Sequence, residues 1–554
     1  MITVLRRGPA RALACLAVLL SSMGAVSAHD VSCATNAGGG EWPRFGNQLD
    51  GDRVQDKEFF LDASRAATLQ PVWTFDANRW TYMSNNEITS YPVVVDGCVY
   101  VGSSTGTQGT GGVQAPGWIF AMNADDGDLV WKTKVGGGVY STMAVEDGVV
   151  YAFVSRVGTP FVAALDQATG RILWETVVDR QIGSDAVSSP IVYDGVVWVG
   201  LSGTAAEVGD EGERLGFQGS QVFLEAGATC TPSQNTTCGA GVPAGPGGSI
   251  LKKTWTIPPE LWEDDYSGGA VWSTIAIDPE SGFGYAGAGN PFDYHAEHIN
   301  TNAILKVDMN RTLPDGDTLN PEFGDIVGAY KGDVEEYFPE AANVVPCEEL
   351  EEADAVNFLG IECLRFDLDF GAQPNIFKLN GKTVVGSGQK SGVYHLIDAE
   401  TMEPVWKQLL GFPSAVGGIV GSAAFDGEFI YGPHTIGGYL WSVDKDDGAL
   451  RWATPVGDAV HWGNPVTYAN RVLYTADLKG FLNAYDAQTG AQLLALPMSV
   501  GSDTRENPTF SWGGVTVARH TVFASIGVGL TSAGLPSMPN GFVIAYRPLP
   551  NPLP

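Results

Sequence analysis

Basic residues are scarce in this sequence. It has 31 Lys and Arg against 63 Asp and Glu, a formal net charge of −32 over 554 residues. That deficit argues against a nucleic-acid surface, whose phosphates require many cations, and against docking on anionic lipid. Charge of either sign is sparse, at 17% of residues, while glycine is abundant at 71. Long solvated helices do not fit that balance; many short strands joined by tight turns do. The sequence contains no Cys-x-x-Cys-His, so it carries no c-type haem attachment. No third ligand stands near His295 and His298, so a metallohydrolase reading finds no footing.

The one marked apolar run is at the start. Arg6, Arg7 and Arg11 precede Ala12 to about Val26, and Val26-Ser27-Ala28 offers small residues for cleavage. Residues 1–28 are therefore expected to be a signal peptide, leaving a periplasmic or secreted chain with no membrane span. Six cysteines then remain for an oxidising compartment. Cys230/Cys238 and Cys347/Cys363 are close enough in sequence to staple loops, leaving Cys33 and Cys98 to each other.

Internal repetition dominates the rest. An apolar strand ends in Asp or a substitute, a turn with Gly follows, and often a Trp. The phrase ends at Asn123, Asp166, Asp398, Asp444 and Asp486, with degenerate copies at Glu225, Asp308 and Arg547. Trp131, Trp174, Trp406 and Trp452 follow four of them. Each repeat also holds a hairpin, as in Val93–Val101 around Asp96-Gly97 and Ile191–Val199 around Asp194-Gly195. The tightest copies lie 43 residues apart (123 to 166) and 42 apart (444 to 486), near the length of one four-stranded blade. The expectation is an all-β, eight-bladed propeller filling 29–554 as one domain. Pro71–Phe75 is expected to complete the last blade, and the insertions 227–248 and 312–364 to form surface loops at the mouth of the funnel.

Four clusters break the repeat: Ser202-Gly203-Thr204-Ala205-Ala206-Glu207; Gly268-Gly269-Ala270-Val271-Trp272 with Gly287-Ala288-Gly289-Asn290-Pro291; Phe366-Asp367-Leu368-Asp369-Phe370-Gly371-Ala372-Gln373-Pro374; and Gly388-Gln389-Lys390-Ser391-Gly392. With blade phrases such as Ala164-Leu165-Asp166 to Trp174, they resemble the pyrroloquinoline quinone (PQQ) alcohol dehydrogenases, from about Glu41 to Pro548. Trp42–Asn47 is similar to the opening of the polyvinyl alcohol dehydrogenase branch.

The resemblance implies PQQ stacked on Trp272, and Ca2+ or a lanthanide held by Glu207, Asn290, Asp367 and Asp369. Such hard cations take carboxylate and amide oxygens. It implies Asp367 as the base that takes the alcohol proton, with Asp369 taking that role if the register slips by two. Lys390 would face the quinone oxygens, and Ser202, Gly203, Thr204 and Glu87 would contact the cofactor. The cysteine pair that some relatives place over PQQ is missing, since the matching segment reads Gly138-Val139-Tyr140-Ser141-Thr142. Tyr140 is a candidate replacement. The implied substrate is a small or polymeric alcohol, with electrons leaving to an external acceptor such as a soluble cytochrome c. The alternative is a non-catalytic propeller acting as a binding or assembly scaffold, as in outer-membrane assembly lipoproteins with the same repeats.

Overall fold

The structure is a computed structural model. It describes residues 32–35, 38–81, 86–105, 116–207, 216–293, 296–316, 318–333, 337, 368–413, 418–435, 438–456, 465–477, 480–498, 513–527 and 541–549. The expected signal peptide and Cys347/Cys363 lie outside them.

Eight antiparallel sheets form the ring. Blade 1 is Val93–Val95, Cys98–Ser104, Gly117–Asn123 and Leu129–Val135, and the others repeat that order. All eight copies of the repeat phrase fall on or at the end of a third strand, from Gly117–Asn123 through Phe542–Pro548. The fourth strand of blade 8 is Leu69–Asp76, paired with Phe542–Pro548, so the start of the chain closes the ring as expected. The radial arrangement leaves only short, protected sheet edges.

The repeated Trp binds neighbouring blades together. The Trp131 indole donates to Gln167 O at 2.9 Å in the next blade, Trp406 to Lys445 O at 2.9 Å, and Trp452 to Ala487 O at 3.2 Å. Each ring lies on the turn glycine of its neighbour. A Cβ at Gly170, whose φ is +69°, would come within 2.4 Å of Trp131. The Gly-to-Trp spacing of the repeat is thus a packing rule, and it buries a large apolar ring at every seam it joins.

Two of the expected loops differ from expectation. Within 227–248, Thr236–Cys238 pairs with Ile172–Val177 as a fifth strand on the outer edge of blade 2, pinned by Cys230–Cys238. This segment therefore braces the side of the ring and does not shape the mouth. Within 312–364, Ile326–Lys331 is the fourth strand of blade 4, so the insertion proper begins after Lys331. Both errors share a cause. A degenerate blade lacks the Trp that marks a fourth strand, so strand and insertion look alike in sequence.

Residues Trp42–Gln55 form a plug across the channel. Trp42 bridges Val94 of blade 1, and Pro43 O accepts from Val145 N of blade 2. Leu49, Asp50 and Asp52 carbonyls accept from Ile277, Ile376 and Phe425 of blades 4, 5 and 6. Val54–Gln55 pairs with Tyr468–Ala469 of blade 7, and the Gln55 amide donates to Val517 O of blade 8 at 3.0 Å. The partners lie on first strands close to the turns into second strands, which places the plug at one end of the channel.

The plug also buries charge. Burial pushes the Asp52 carboxyl up to about 8, with Asp50 beside it adding to the effect, and burial raises Asp50 as well. A carboxyl with a raised folded pKa costs nothing below its unfolded value near 4. It destabilises the fold progressively as pH rises toward about 8. The expected result is a denaturation midpoint that falls between about pH 5 and about pH 8, with Asp52→Asn flattening the decline. Parallel slopes for the two proteins would contradict this.

Candidate active site

The site follows from one register repeated around the ring. In each of blades 1, 3 and 4, a Ser just before the first strand bonds a glycine on the second strand. The pairs are Ser90 with Gly102, Ser188 with Gly200 and Ser273 with Gly287, all at 2.8–3.0 Å. Ser141 donates to Phe153 O at 2.9 Å in blade 2, and Ala372 takes the position in blade 5. Three residues before these stand Glu87, Gly138, Asp185, Ala270 and Asp369. Facing them, at or just past the end of the second strand, stand Ser104, Ser155, Ser202, Gly289 and Lys390. Backbone bonds join each pair, from Glu87 with Ser104 to Lys390 N on Asp369 O at 3.0 Å. Segments before first strands and after second strands share one end of a propeller, so all these residues sit at the end opposite the plug.

Blades 4 and 5 form the tightest constellation. Asp369 Oδ2 accepts from the Trp272 indole at 2.9 Å and from Lys390 Nζ at 3.1 Å. Lys390 Nζ also lies 5.2 Å from the centre of the Trp272 ring. Asp369 and Lys390 are both buried, and Trp272 is partly exposed. The ring lies against Gly371, where a Cβ would come within 2.0 Å of it. Gly268 and Gly269, at φ +89° and +64°, let the Trp272 segment run against Asn290, whose carbonyl accepts from Gly269 N at 2.9 Å. Asn290 itself is buried beside this platform. The turn carrying Lys390 is braced from behind: Gln389 Nε2 donates to Gly332 O at 3.1 Å, and Gln389 Oε1 meets His395 at 3.3 Å. Burial pushes His395 down to about 3, so it stands there as a neutral imidazole.

Blades 1 to 3 complete the mouth. Ser104 Oγ donates to Tyr140 OH at 2.8 Å, and Ser155 Oγ donates to the Asp185 carboxylate. Burial raises the Tyr140 phenol, and the nearby Asp185 and Glu87 charges raise it further. The ring therefore alternates acids at Glu87, Asp185 and Asp369 with aromatic residues at Tyr140 and Trp272.

Three comparisons bear on this arrangement. A protein-family model described as outer membrane protein assembly factor BamB matches residues 61–216. The polyvinylalcohol dehydrogenase of Sphingopyxis sp. (strain 113P3) is 25% identical over 520 residues, covering 86% of this chain and 70% of that protein. Among solved structures, quinohemoprotein alcohol dehydrogenase ADHIIG of Pseudomonas putida HK5 superposes with a TM-score of 0.64 at 17% identity, covering 93% of this chain and 82% of that one. A europium-containing methanol dehydrogenase gives 0.64 at 13% identity, covering 92% and 98%. The chain is thus similar in sequence to a polyvinylalcohol dehydrogenase and similar in fold to quinohemoprotein and methanol dehydrogenase structures.

Of the residues expected from the quinoprotein resemblance, Trp272, Asp369 and Lys390 meet directly, and Asn290 lies beside them. Glu87 stands on blade 1 in the column of Asp369, and Ser202 stands on blade 3 in the facing column of Lys390. Gly203 and Thr204 lead into a short helix, Thr204–Glu207, in which Glu207 is exposed. Asp367 lies outside the described residues. Among the described residues, no three His, Cys, Asp or Glu side chains converge as a metal centre. Sequence reasoning missed Asp185, Ser104 and Ser155. The signal was present: aligning blades on Ser90, Ser141, Ser188 and Ser273 puts Asp185 in the column of Glu87 and Asp369.

Proposed function

We propose that this protein is a PQQ- and metal-dependent dehydrogenase that oxidises an alcohol and passes the electrons to an external acceptor. The observation that carries the reading is the Asp369 carboxylate, bonded to both the Trp272 indole and the Lys390 ammonium at the mouth of the propeller.

The residues suit the cofactor. Trp272 lying on Gly371 makes a flat aromatic floor, and Ser104, Ser155 and Ser202 place small polar side chains around the mouth. The metal set is oxygen-rich: the Asn290 amide and the Asp369 carboxylate, with Glu207 and Asp367 as the further ligands expected from sequence. Calcium or a lanthanide both take such donors.

PQQ, when bound, supplies a two-electron sink for the hydrogen leaving the alcohol carbon. The protein supplies the proton chemistry and the charge. Asp369 accepts the hydroxyl proton at a carboxylate oxygen, the role the sequence assigned first to Asp367. Lys390 sets a positive charge 3.1 Å from that carboxylate, within reach of negative charge developing beside it. His395 and Gln389 hold the Lys390 turn without contributing charge.

The alcohol, small or polymeric, enters from the open end of the channel. The acidic surface suits a basic acceptor such as a soluble cytochrome c. An exported enzyme in an oxidising compartment fits the two disulfides, Cys33–Cys98 and Cys230–Cys238. Among the described residues, no helix is long and apolar enough to cross a membrane.

The match to the BamB family model favours a second reading, a scaffold with no turnover. A scaffold has no use for a buried Asp–Lys pair against a Gly-floored Trp. Reconstituting purified protein with PQQ and either calcium or a lanthanide, then offering alcohols and an artificial electron-accepting dye, separates the two. Dye reduction that depends on PQQ, metal and alcohol is expected. Silence with every alcohol tried would leave the scaffold.

A further inference from the structure

Blade 2 is one strand wider than its neighbours, and the extra width leaves a groove down the side of the ring. Thr236–Cys238 extends the sheet beyond Ile172–Val177, pinned by Cys230–Cys238, whereas blade 1 ends at Leu129–Val135. The overhanging face of blade 2 therefore has no fifth strand opposite it. A cavity of about 450 Å3 lies there. Its floor is Phe161, Ile172 and Val177, which pack at the edge of the apolar core shared by blades 1 and 2. Arg156, one residue past Ser155, and Gly136, two residues before Gly138, mark its end nearest the mouth.

Two charges of opposite sign face this groove without meeting. Arg156 Nε donates to Thr159 O at 3.2 Å and to Thr159 Oγ1 at 2.8 Å, and the guanidinium lies 4.7 Å from the centre of the Phe161 ring. Those contacts fix its plane and leave the Nη groups for other acceptors. Glu175 stands on the fourth strand directly opposite Thr237 of the extra strand. Among the described residues, its carboxylate takes part in no hydrogen bond or ion pair. Burial raises its pKa, and the Arg156 charge lowers it in part, so the guanidinium is near enough to be felt and too far to bond. Both side chains are only half-buried and keep surface open to a ligand. Lys134 stands at the exposed rim, its ammonium 6.0 Å from the centre of the Trp118 ring.

We propose that this groove binds a neutral polyhydroxylated chain. A hydroxyl both donates and accepts, so one run of hydroxyls can donate to Glu175 and accept from Arg156. The carbon skeleton would lie on Phe161, Ile172 and Val177. An anion would be repelled by Glu175 and a cation by Arg156, and the volume falls in the range of small-molecule sites. A chain leaving the groove past Gly136 meets the Gly138–Tyr140 segment at the mouth. Resting on the dehydrogenase reading above, the groove would hold one stretch of a polymeric alcohol while another is oxidised.

The test is equilibrium dialysis of the cofactor-free full chain against a dye-labelled polyvinyl alcohol oligomer, which does not depend on turnover. Saturable binding is expected, weakened about tenfold by Glu175→Ala and by Arg156→Gln, the loss from one hydrogen bond to a charged group, and unchanged in Trp272→Ala. Both groove substitutions remove half-exposed side chains, and unchanged denaturation midpoints would show that the variants fold. No saturable binding, equal affinity in the two groove variants and wild type, or a loss confined to Trp272→Ala overturns the proposal. So does saturable binding of glycine or inorganic phosphate when the oligomer does not bind, which would mark a zwitterion or anion site. An oligomer held in the groove but never oxidised by the loaded protein would count against the dehydrogenase reading alone.

Discussion

Replacing Asp369 with alanine is expected to lower kcat of the reconstituted enzyme by about a thousandfold or more, within the range a positioned general base supplies. The protein should still fold. Asp369 stands just before a first strand, at a position where blade 2 carries Gly138 and blade 4 carries Ala270. The ring thus closes without an acid there. Asp369→Ala strands the Lys390 ammonium and frees the Trp272 indole, so affinity for PQQ should change as well. Asp369→Asn separates the two effects. It keeps an oxygen for the indole and the ammonium but cannot take a proton, so kcat should fall while cofactor binding largely persists. Asp367→Ala is the necessary companion. Turnover retained in Asp369→Ala but lost in Asp367→Ala would move the base two residues back.

Arg53→Ala should unfold the protein more readily by on the order of 4 kcal/mol, the loss expected when several charge-assisted hydrogen bonds vanish from a buried site. Arg53 is fully buried in the plug. It donates to Phe45 O at 2.7 Å, to Val466 O at 2.9 Å and to Thr467 Oγ1 at 3.2 Å. Its guanidinium lies 4.8 Å from the Phe45 ring centre and 5.8 Å from that of Trp42. Burial lowers its pKa to about 10, which leaves it charged at neutral pH. One side chain therefore ties the plug to blade 7. Arg53→Met, which restores most of the volume but none of the donors, should recover only a minor part of the loss. Equal denaturation midpoints for wild type and Arg53→Ala would show that the plug is dispensable.

Blade number and ring closure were legible in the sequence because most blades repeat one packing event, a Trp laid on its neighbour's turn glycine. Where the Trp is absent, as after Glu225 and Asp308, legibility failed. The fourth strand Ile326–Lys331 was read as insertion, and Thr236–Cys238 was not read as a strand at all. The plug was also invisible. Trp42–Gln55 has no periodicity, because its bonds go successively to different blades and not along a ladder. At the site, Trp272, Asn290, Asp369 and Lys390 stood out by interrupting the repeat. Asp185, Ser104 and Ser155 did not, because they belong to the repeat and differ from other copies only in side chain. The column that unites them appears once the serine-to-glycine bonds fix the register between blades.

Trp272, Asp369 and Lys390 are proposed to form the cofactor platform. Equilibrium dialysis of the metal-loaded apoprotein against PQQ tests that most directly. Wild type should bind one PQQ per chain, Trp272→Ala should lose about tenfold or more in affinity with its stacking surface, and Gly371→Leu, whose side chain would fill the space the Trp272 ring occupies, should bind little. No PQQ bound by wild type with either calcium or a lanthanide, or equal binding by all three proteins, would contradict it.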